Sequence, residues 1–163
     1  MTLNISRVQV AIALLREPTD RNCLFQLRKR APYLGLLGLP GGKILPQEHP
    51  MIAAQREVVE ETGLRPRALE PVGLVDEELR HGRAVKQVRL FVFSGVAEGL
   101  PSANPVEGDA LWVTVDEVAG RPDRFIPTDW WITMRVLNGD LGTRTVRVRH
   151  VGPFGYEIES GDL

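Results

Sequence analysis

Three glutamates stand close together in the middle of the chain, at Glu57, Glu60 and Glu61. On a helix with 3.6 residues per turn, this spacing places the three carboxylates within roughly 100° of one face. Carboxylates gathered in this way repel each other, and a divalent cation that takes oxygen ligands, such as Mg²⁺ or Mn²⁺, removes the repulsion. The spacing therefore suggests a metal site. The alternative is a solvated helix face, which carries the same residue types.

The glutamates end a longer pattern that occupies residues 42–64. In order it consists of Gly42, five residues, Glu48, seven residues, Arg56-Glu57-Val58, one residue, Glu60-Glu61, one residue, and Gly63-Leu64. The pattern resembles the complete signature of Nudix hydrolases, called the Nudix box. The resemblance implies an α/β fold, namely an α/β/α sandwich with a central mixed β-sheet, in which the box forms a loop-helix-loop.

The resemblance also implies a metal-ligand set. It assigns Glu57, Glu60 and Glu61 as the core ligands of Mg²⁺ or Mn²⁺. The backbone carbonyl of Gly42 is expected to add a ligand, because glycine allows a close approach. Glu48 matches the first glutamate of the box. It is expected either to be an additional metal ligand or to contact the ligand residues without touching the ion. A solvated surface position is the alternative for Glu48.

Two cations accompany these carboxylates. The resemblance implies that Arg56 orients the adjacent Glu57. Lys43 follows the glycines that open the box and could contact a phosphate as a point charge. As with Glu48, a solvated surface position is the alternative for Lys43.

The chemistry that the resemblance implies is hydrolysis of a nucleoside diphosphate linked to another group. A general base must take the proton of the attacking water. Family members differ in whether this base comes from the box helix, where Glu61 is the candidate, or from a later loop. Glu107 lies ahead of Trp112, where the loop acid is expected, and its alternative is an ordinary loop acid.

Substrate selection depends on residues outside the box. Residues 125–131 resemble the Trp-Pro-Asp-Asp segment of mammalian-type 8-oxo-dGTP hydrolases, which are relatives of MutT. Aligned on Pro127, Ile126 replaces the tryptophan and Thr128 replaces the first aspartate, so Asp129 is the one acid retained. Asp129 could hydrogen-bond a base edge while Trp130 or Trp131 stacks on the ring. The alternative is that Asp129 caps a helix and the tryptophans pack in the core.

Three functional hypotheses follow. The leading one is a pyrophosphohydrolase of nucleoside triphosphates, including oxidised ones, that releases the monophosphate and pyrophosphate. Its rival within the enzyme class acts on a nucleotide sugar such as ADP-ribose or on a dinucleoside polyphosphate, although Arg80 stands where ADP-ribose hydrolases have a proline. A hypothesis of a different class, a non-catalytic nucleotide-sensing module, is disfavoured because every box glutamate is present.

Composition sets the broader expectations. The 163 residues carry a net charge of −1 and one cysteine, Cys23. Near-neutral charge argues against a nucleic-acid polymer as partner, and no apolar run approaches the length of a membrane span. We expect a single domain over residues 1–163 in the cytoplasm, acting on a small nucleotide. The sequence leaves the oligomeric state open, including a homodimer.

Periodicity and turn chemistry predict the elements that position these residues. The predicted helices are 50–62, a turn at 116–119, and 128–137, which is entered through Pro127. Loops are expected at 32–42 and 100–108. The predicted strands are 8–15 and 23–28 as a hairpin-like pair, 72–79, a central strand at 85–96, 111–115, and a terminal hairpin of 143–150 with 154–159.

The predicted box helix has clear ends and a predicted apolar side. Pro50 suits its first turn, and Gly63 suits the left-handed position just past its end. Small residues at positions 53 and 54 would allow the helix to approach a neighbouring backbone closely. We expect an apolar side formed by Met51, Ile52, Val58 and Val59 to dock on the sheet.

Overall fold

The computed structural model describes residues 4–19, 21–103, 108–151 and 155–161. Among them, no helix is long and apolar enough to cross a membrane. The elements in chain order are β1 (Asn4–Arg16), β2 (Asn22–Leu27), β3 (Leu37–Gly38), β4 (Gly41–Lys43), α1 (Pro50–Thr62), β5 (Arg67–His81), β6 (Ala84–Val96), β7 (Ala110–Thr114), α2 (Val115–Gly120), the 3₁₀ helix Pro122–Arg124, α3 (Pro127–Leu137), β8 (Gly142–Val151) and β9 (Gly155–Gly161).

The described strands form one mixed sheet in the order β3-β2-β1-β6-β5-β8-β9, with β4 paired to β1 and β7 paired to β2. The pairs β1–β6 and β5–β8 are parallel, and the other pairs are antiparallel. The nearly continuous apolar strand β6 lies in the middle of this order, as predicted. A strand buried on both faces tolerates apolar residues at successive positions.

The two faces of the sheet bury different helices. On one face, Ile12, Leu14 and Val92 belong to a core that includes Ile132 of α3 and Val118 of α2. On the other face, Ala11 and Phe93 of β1 and β6 pack with Ala53 and Ala54 of α1, and Val58 packs with Leu15. Alternate residues of each strand therefore meet opposite helical layers. The predicted α/β/α sandwich with a mixed central sheet is confirmed.

Most predicted elements are present with shifted ends. The α1 helix spans the predicted residues, and its C-cap Gly63 has φ 72°, with its N–H donating to the carbonyl oxygen of Val59. The terminal hairpin is present as the antiparallel pair β8–β9. The prediction of a loop over residues 32–42 was wrong in its second half, because β3 lies within it and β4 begins there. These strands are too short to show a periodic pattern.

The predicted docking side of α1 was wrong in part. Ile52 is 53% exposed and Val59 is 42% exposed, whereas Ala53, Ala54 and Val58 are fully buried. At 100° per residue, Ile52 and Val59 lie outside the arc formed by the buried residues of α1, so they face away from the sheet. The alanines bring the helix close to the sheet, as predicted.

We predict that adjacent valines of α1 differ sharply in their contribution to stability. Val58→Ala should lower the free energy of unfolding by about 2 kcal/mol, because it removes fully buried methyl groups and leaves a cavity. Val59→Ala is the matched control, and its effect should stay within about 0.5 kcal/mol. Urea denaturation of both variants measures the difference. Equal losses would contradict the orientation of α1.

Candidate active site

The α1 helix carries the box carboxylates past the strand β4. Its N-cap is His49, whose side chain accepts a hydrogen bond from the Met51 N–H, and Pro50 occupies the first turn. On β4, a Cβ atom added to Gly42 would lie 2.4 Å from Cδ of Glu57 and 2.5 and 2.6 Å from its oxygens. Only glycine therefore lets the Glu57 carboxylate lie against this backbone.

The guanidinium of Arg56 links the carboxylates of the box. Its Nε and Nη2 donate to the two oxygens of Glu48, both at 2.9 Å. Its Nη1 donates to Glu57 at 2.8 Å and to Glu60 at 3.3 Å, and Nη2 also donates to the carbonyl oxygen of Lys43 at 3.1 Å. The fixed fork of an arginine suits such contacts in several directions. Arg56 thus contacts Glu57, Glu48 and Glu60, and its expected role of orienting Glu57 stays a prediction.

Glu48 is tied closely to this arginine. The hydrogen bonds from Arg56, assisted by one from the Leu45 N–H to Glu48, lower the pKa of Glu48 to about 2. The carboxylate is therefore ionised at neutral pH. Its immediate partners are the arginine and the loop backbone, and its expected role at a metal stays a prediction.

Glu60 and Glu61 have contrasting environments. The Glu60 side chain is 58% exposed, whereas Glu61 is buried and accepts a hydrogen bond from the Gly41 N–H at 3.0 Å. Glu61 also lines a cavity beside the box. The spacing predicted one shared helix face, and the tertiary structure gives the two glutamates different partners.

A divalent cation fits the donor chemistry of this cluster. Carboxylate oxygens of Glu57, Glu60 and Glu61 and the carbonyl oxygen of Gly42 are hard ligands of the kind that Mg²⁺ and Mn²⁺ take. In the described part of the chain, however, no three His, Cys, Asp or Glu side chains converge closely enough to hold a metal ion. Arg56 donates hydrogen bonds to Glu57 and Glu60, and the Gly41 N–H donates one to Glu61.

A cavity of about 220 Å³ adjoins the box. Its lining comes from the box side, from β1, β2, β5 and β6, from the loop after β2, and from the start of α3. A larger depression of about 640 Å³ over β1, β5 and β6 contains none of the predicted site residues. The residues that line the smaller cavity are Val10, Ile12, Gln26, Arg28, Pro32, Tyr33, Gly38, Leu39, Gly41, Glu61, Glu77, Lys86, Val88, Leu90, Ile126 and Asp129.

Asp129 lies in this cavity and accepts a hydrogen bond on Oδ2 from the Leu39 N–H at 2.8 Å. Ile126, not Asp129, is the N-cap of α3, and no side chain caps that helix. Desolvation, with a smaller contribution from the charge of Glu77, raises the pKa of Asp129 to about 7, although the Leu39 hydrogen bond and Arg28 oppose the shift. The residue is therefore close to half-protonated at neutral pH.

Sequence analysis missed Glu77. It alternates with Val75 and Leu79 along β5, so it points to the face of the sheet that packs on α3. Desolvation raises the pKa of Glu77, while Thr128 and Lys86 oppose the rise. A carboxylate at an apolar position of a strand was the signal that could have identified it.

The other predicted site residues lie elsewhere. Trp130 donates from Nε1 to the carbonyl oxygen of Val118 at 2.8 Å, and Trp131 lies under the guanidinium of Arg135 at 5.1 Å. Both pack against the core, and neither lines the cavity with Asp129. Lys43 is exposed on β4. Glu107 lies outside the described residues.

Comparison with known proteins identifies relatives of this fold. The sequence matches the family model described as the NUDIX domain over residues 6–133. A MutT protein from Bacillus halodurans is similar in structure, with 24% identity, coverage of 93% of this chain and 97% of that one, and a TM-score of 0.72. No curated protein sequence matches significantly.

Two further structures bear on the comparison. A MutT NUDIX hydrolase from Burkholderia pseudomallei has 27% identity, covers 68% of this chain and 85% of that one, and has a TM-score of 0.57. The NUDIX domain of Shewanella oneidensis NrtR in complex with ADP-ribose has 19% identity, covers 85% and 88%, and has a TM-score of 0.57. The Bacillus halodurans protein and the NrtR domain, both less than 25% identical to this chain, share its fold.

The forked contact of Arg56 makes a prediction about Glu48. In metal-free protein, Arg56→Lys should raise the pKa of Glu48 from about 2 toward its ordinary 4.5, because lysine keeps the charge but not the fork. NMR titration of the side-chain carboxyl carbon measures this. Arg89→Lys is the control, because it changes a similar fork, made with Asp76, and should leave the pKa of Glu48 unchanged. If the pKa of Glu48 does not change in Arg56→Lys, Arg56 is not the cause of the low pKa.

The raised pKa of Asp129 makes a prediction about stability. Between its ordinary 3.8 and about 7, the folded protein holds a proton that the unfolded chain has lost, so this contribution to stability is lost as the pH rises through 7. Glu77, whose pKa is also raised, acts in the same direction, and Arg28 and Lys86 face the pair.

Asp129→Asn should therefore weaken the pH dependence of stability. Between about pH 5 and pH 8, the Tm of this variant should fall by several degrees less than that of the wild type. Asparagine has no proton to lose and can still accept the Leu39 hydrogen bond. Thermal unfolding followed by circular dichroism gives the comparison. Parallel curves for the two proteins would show that Asp129 does not titrate in this range.

Proposed function

The chain belongs to the Nudix hydrolase family, and from this premise we propose that it is a pyrophosphohydrolase of nucleoside triphosphates. Nudix hydrolases act on nucleoside diphosphates linked to another group and use divalent metal ions. Oxidised deoxynucleoside triphosphates such as 8-oxo-dGTP are the leading substrates, and the products are the monophosphate and pyrophosphate. We propose Mg²⁺ or Mn²⁺ as the ion and a small nucleotide, not a nucleic-acid polymer, as the partner.

The observation that carries the proposal is the arrangement of the box around Arg56. One guanidinium contacts Glu48, Glu57 and Glu60, and Glu61 lies beside them in the wall of a cavity. An ordinary solvated helix face would not need a shared arginine and a buried glutamate. A cavity next to a cluster of oxygen ligands offers room for part of a nucleotide.

The residues of the chain have separate roles in this proposal. Glu57, Glu60, Glu61 and the carbonyl of Gly42 would hold the ion, which when bound neutralises charge on the diphosphate and activates water. Arg56 keeps the carboxylates in position, and Lys43 contacts a phosphate from the exposed surface of β4. Water would attack one phosphorus of the anhydride between the α and β phosphates, and its proton would pass to Glu61 or to Glu107. The bond from that phosphorus to the bridging oxygen breaks, and the bridging oxygen leaves with the other phosphate group, which gives the monophosphate and pyrophosphate.

A second candidate substrate has one observation in its favour. The Shewanella oneidensis NrtR domain, which shares the fold, was solved with ADP-ribose. A nucleotide sugar or a dinucleoside polyphosphate is therefore the rival substrate class. A nucleotide-sensing module without catalysis is the rival of a different class, and both rivals require a cavity for a nucleotide.

A substrate screen with Mg²⁺ separates these possibilities. We expect 8-oxo-dGTP or dGTP to yield the monophosphate and pyrophosphate, with ADP-ribose and dinucleoside polyphosphates cleaved much more slowly. Ion-pair chromatography identifies the products. Cleavage of ADP-ribose with both triphosphates untouched would contradict the triphosphate proposal. Tight nucleotide binding without cleavage would support the sensing module.

Glu60→Gln tests the metal assignment directly. Loss of a carboxylate ligand should lower Mg²⁺-dependent turnover by about 100-fold or more, because metal stabilisation of transition-state charge is worth several kcal/mol. Glu98→Gln is the control, since Glu98 is exposed and pairs with Arg67 away from the box. Initial rates over a range of Mg²⁺ concentrations give the comparison. Wild-type turnover in Glu60→Gln would exclude Glu60 as a ligand.

A further inference from the structure

Residues 37–43, which we call the box-entry segment, lead into the box and carry two of its main-chain groups. These are the Gly41 N–H, which donates to Glu61, and the Gly42 carbonyl, which in the proposed function binds the ion. The strands of the segment, β3 and β4, are two and three residues long. Strands this short have few hydrogen bonds of their own, so contacts with other elements must fix the position of the segment.

The sheet fixes one side of the box-entry segment. The Ala13 N–H donates to the carbonyl oxygen of Pro40 at 3.0 Å, and β4 pairs with β1 so that Gly42 lies opposite Ala11. A Cβ atom added to Gly41 would lie 2.2 Å from the carbonyl oxygen of Ala11. The two strands are therefore in close contact, and β1 sets the position of β4 on the sheet.

The start of α3 fixes the other side of the segment. The Ile126 N–H donates to the carbonyl oxygen of Leu37 at 2.8 Å. The Leu39 N–H donates to Oδ2 of Asp129, also at 2.8 Å. A Cβ atom added to Gly38 would lie 2.8 Å from Cδ1 of Ile126 and 3.0 Å from Oδ2 of Asp129. Glycine at this position therefore allows α3 to approach β3 closely enough for both hydrogen bonds.

The hydrogen bond between Leu39 and Asp129 lies where it matters for the local structure. Asp129 lines the cavity and loses hydration there, and a hydrogen bond in such surroundings is stronger than in water. Leu39 is buried, so its N–H would lose a partner at a cost if the carboxyl group were removed. Both the protonated and the ionised carboxyl group keep an acceptor oxygen, so the bond does not require the charge.

A shift at Leu39 would reach the box carboxylates along the main chain. The Gly41 N–H, two residues later, is 3.0 Å from Oε2 of Glu61. The next residue, Gly42, lies so close to the Glu57 carboxylate that a Cβ atom there would be 2.4 Å from its Cδ. Contacts this close leave little room for displacement. The position of Leu39 therefore bears on how the main chain meets both glutamates.

We propose that Asp129 is a positioning residue of the metal site. Through Leu39 it holds Gly41 and Gly42 against the carboxylates of α1, and it thereby strengthens the binding of a divalent ion. The inference rests on the proposed function, because it takes the box as the place of the ion. It deepens that proposal by giving a residue of α3, outside the box, a part in the affinity for metal.

Binding of Mn²⁺ alone tests the inference without a nucleotide, so no contact between Asp129 and a substrate enters the result. Electron paramagnetic resonance of free Mn²⁺ gives the Kd. Asp129→Ala should weaken binding about tenfold or more, as is usual when a partner that orients metal ligands is removed. Asp129→Asn should stay within about threefold of wild type, because its amide oxygen still accepts the Leu39 hydrogen bond. Both variants lack the charge, so their difference isolates the hydrogen bond.

Hydrogen exchange of the Gly41 amide in metal-free protein is the second readout. Asp129→Ala should accelerate this exchange about tenfold or more, because the hydrogen bond from Gly41 to Glu61 opens more often. Amides in the centre of β6 should change by less than about threefold on the same scale. This comparison separates a local shift of the box-entry segment from a general loss of stability.

Thr133→Val is the matched control. The buried Thr133 hydroxyl donates to the main-chain carbonyl of Asp129 at 2.7 Å, so the variant removes a hydrogen bond of α3 and leaves the carboxyl group in place. Mn²⁺ affinity and Gly41 exchange should both stay within about threefold of wild type. Thermal unfolding verifies that all three variants are folded.

Several outcomes would overturn the inference. Asp129→Ala could bind Mn²⁺ as tightly as wild type or leave Gly41 exchange unchanged. Asp129→Asn could bind as weakly as Asp129→Ala, which would assign the effect to charge, and an equal loss in Thr133→Val would assign it to the stability of α3. A wild type that binds no Mn²⁺ would overturn the inference together with the metal assignment. The expected pattern with no nucleotide cleaved would support the inference and refute the proposed hydrolysis.

Discussion

The organisation of the candidate site depends on one guanidinium among several carboxylates. Glu48, Glu57 and Glu60 stand close enough to share Arg56, and without a cation between them they would repel each other. Arg56 also donates to the carbonyl of Lys43, which ties the helix to β4. The loop, the strand and the helix of the box are therefore joined at a single side chain. A metal ion that enters the cluster would bind carboxylates that Arg56 already holds.

The close approach of α1 to the sheet is the second constraint. Ala53 and Ala54 are fully buried against β1 and β6, and this short distance places Glu61 within hydrogen-bond reach of Gly41. Larger residues at these alanines would move the helix outward, because a packed interface has little free volume. The same approach turns Ile52 and Val59 toward solvent. Helix position and carboxylate position are thus set by the same small residues.

The box and the cavity beside it contain carboxylates of different character. Hydrogen bonds from Arg56 stabilise the ionised form of Glu48 in the box, whereas desolvation dominates at Glu77 and Asp129 in the cavity and favours the neutral form. The carboxylates with raised pKa values therefore lie in the cavity, and the carboxylate with a lowered pKa lies in the box beside it.

The sequence by itself determined the box, its helix and the family, because these depend on local spacing: Pro50 and Gly63 mark the ends of α1, and the residue types from Gly42 to Leu64 identify the signature. It also indicated a central β6, since a long apolar strand must be covered on both faces. Short strands such as β3, and the outward orientation of Ile52 and Val59, were not predictable from a local pattern.

Only the tertiary structure decided what lies in the cavity. Asp129 and Glu77 are 52 residues apart in sequence, and they meet because α3 packs on the face of the sheet to which β5 directs Glu77. The sequence likewise suggested Trp130 and Trp131 beside Asp129, whereas the helix directs both toward the core. Desolvation and proximity depend on how distant segments pack, so no local spacing could reveal them.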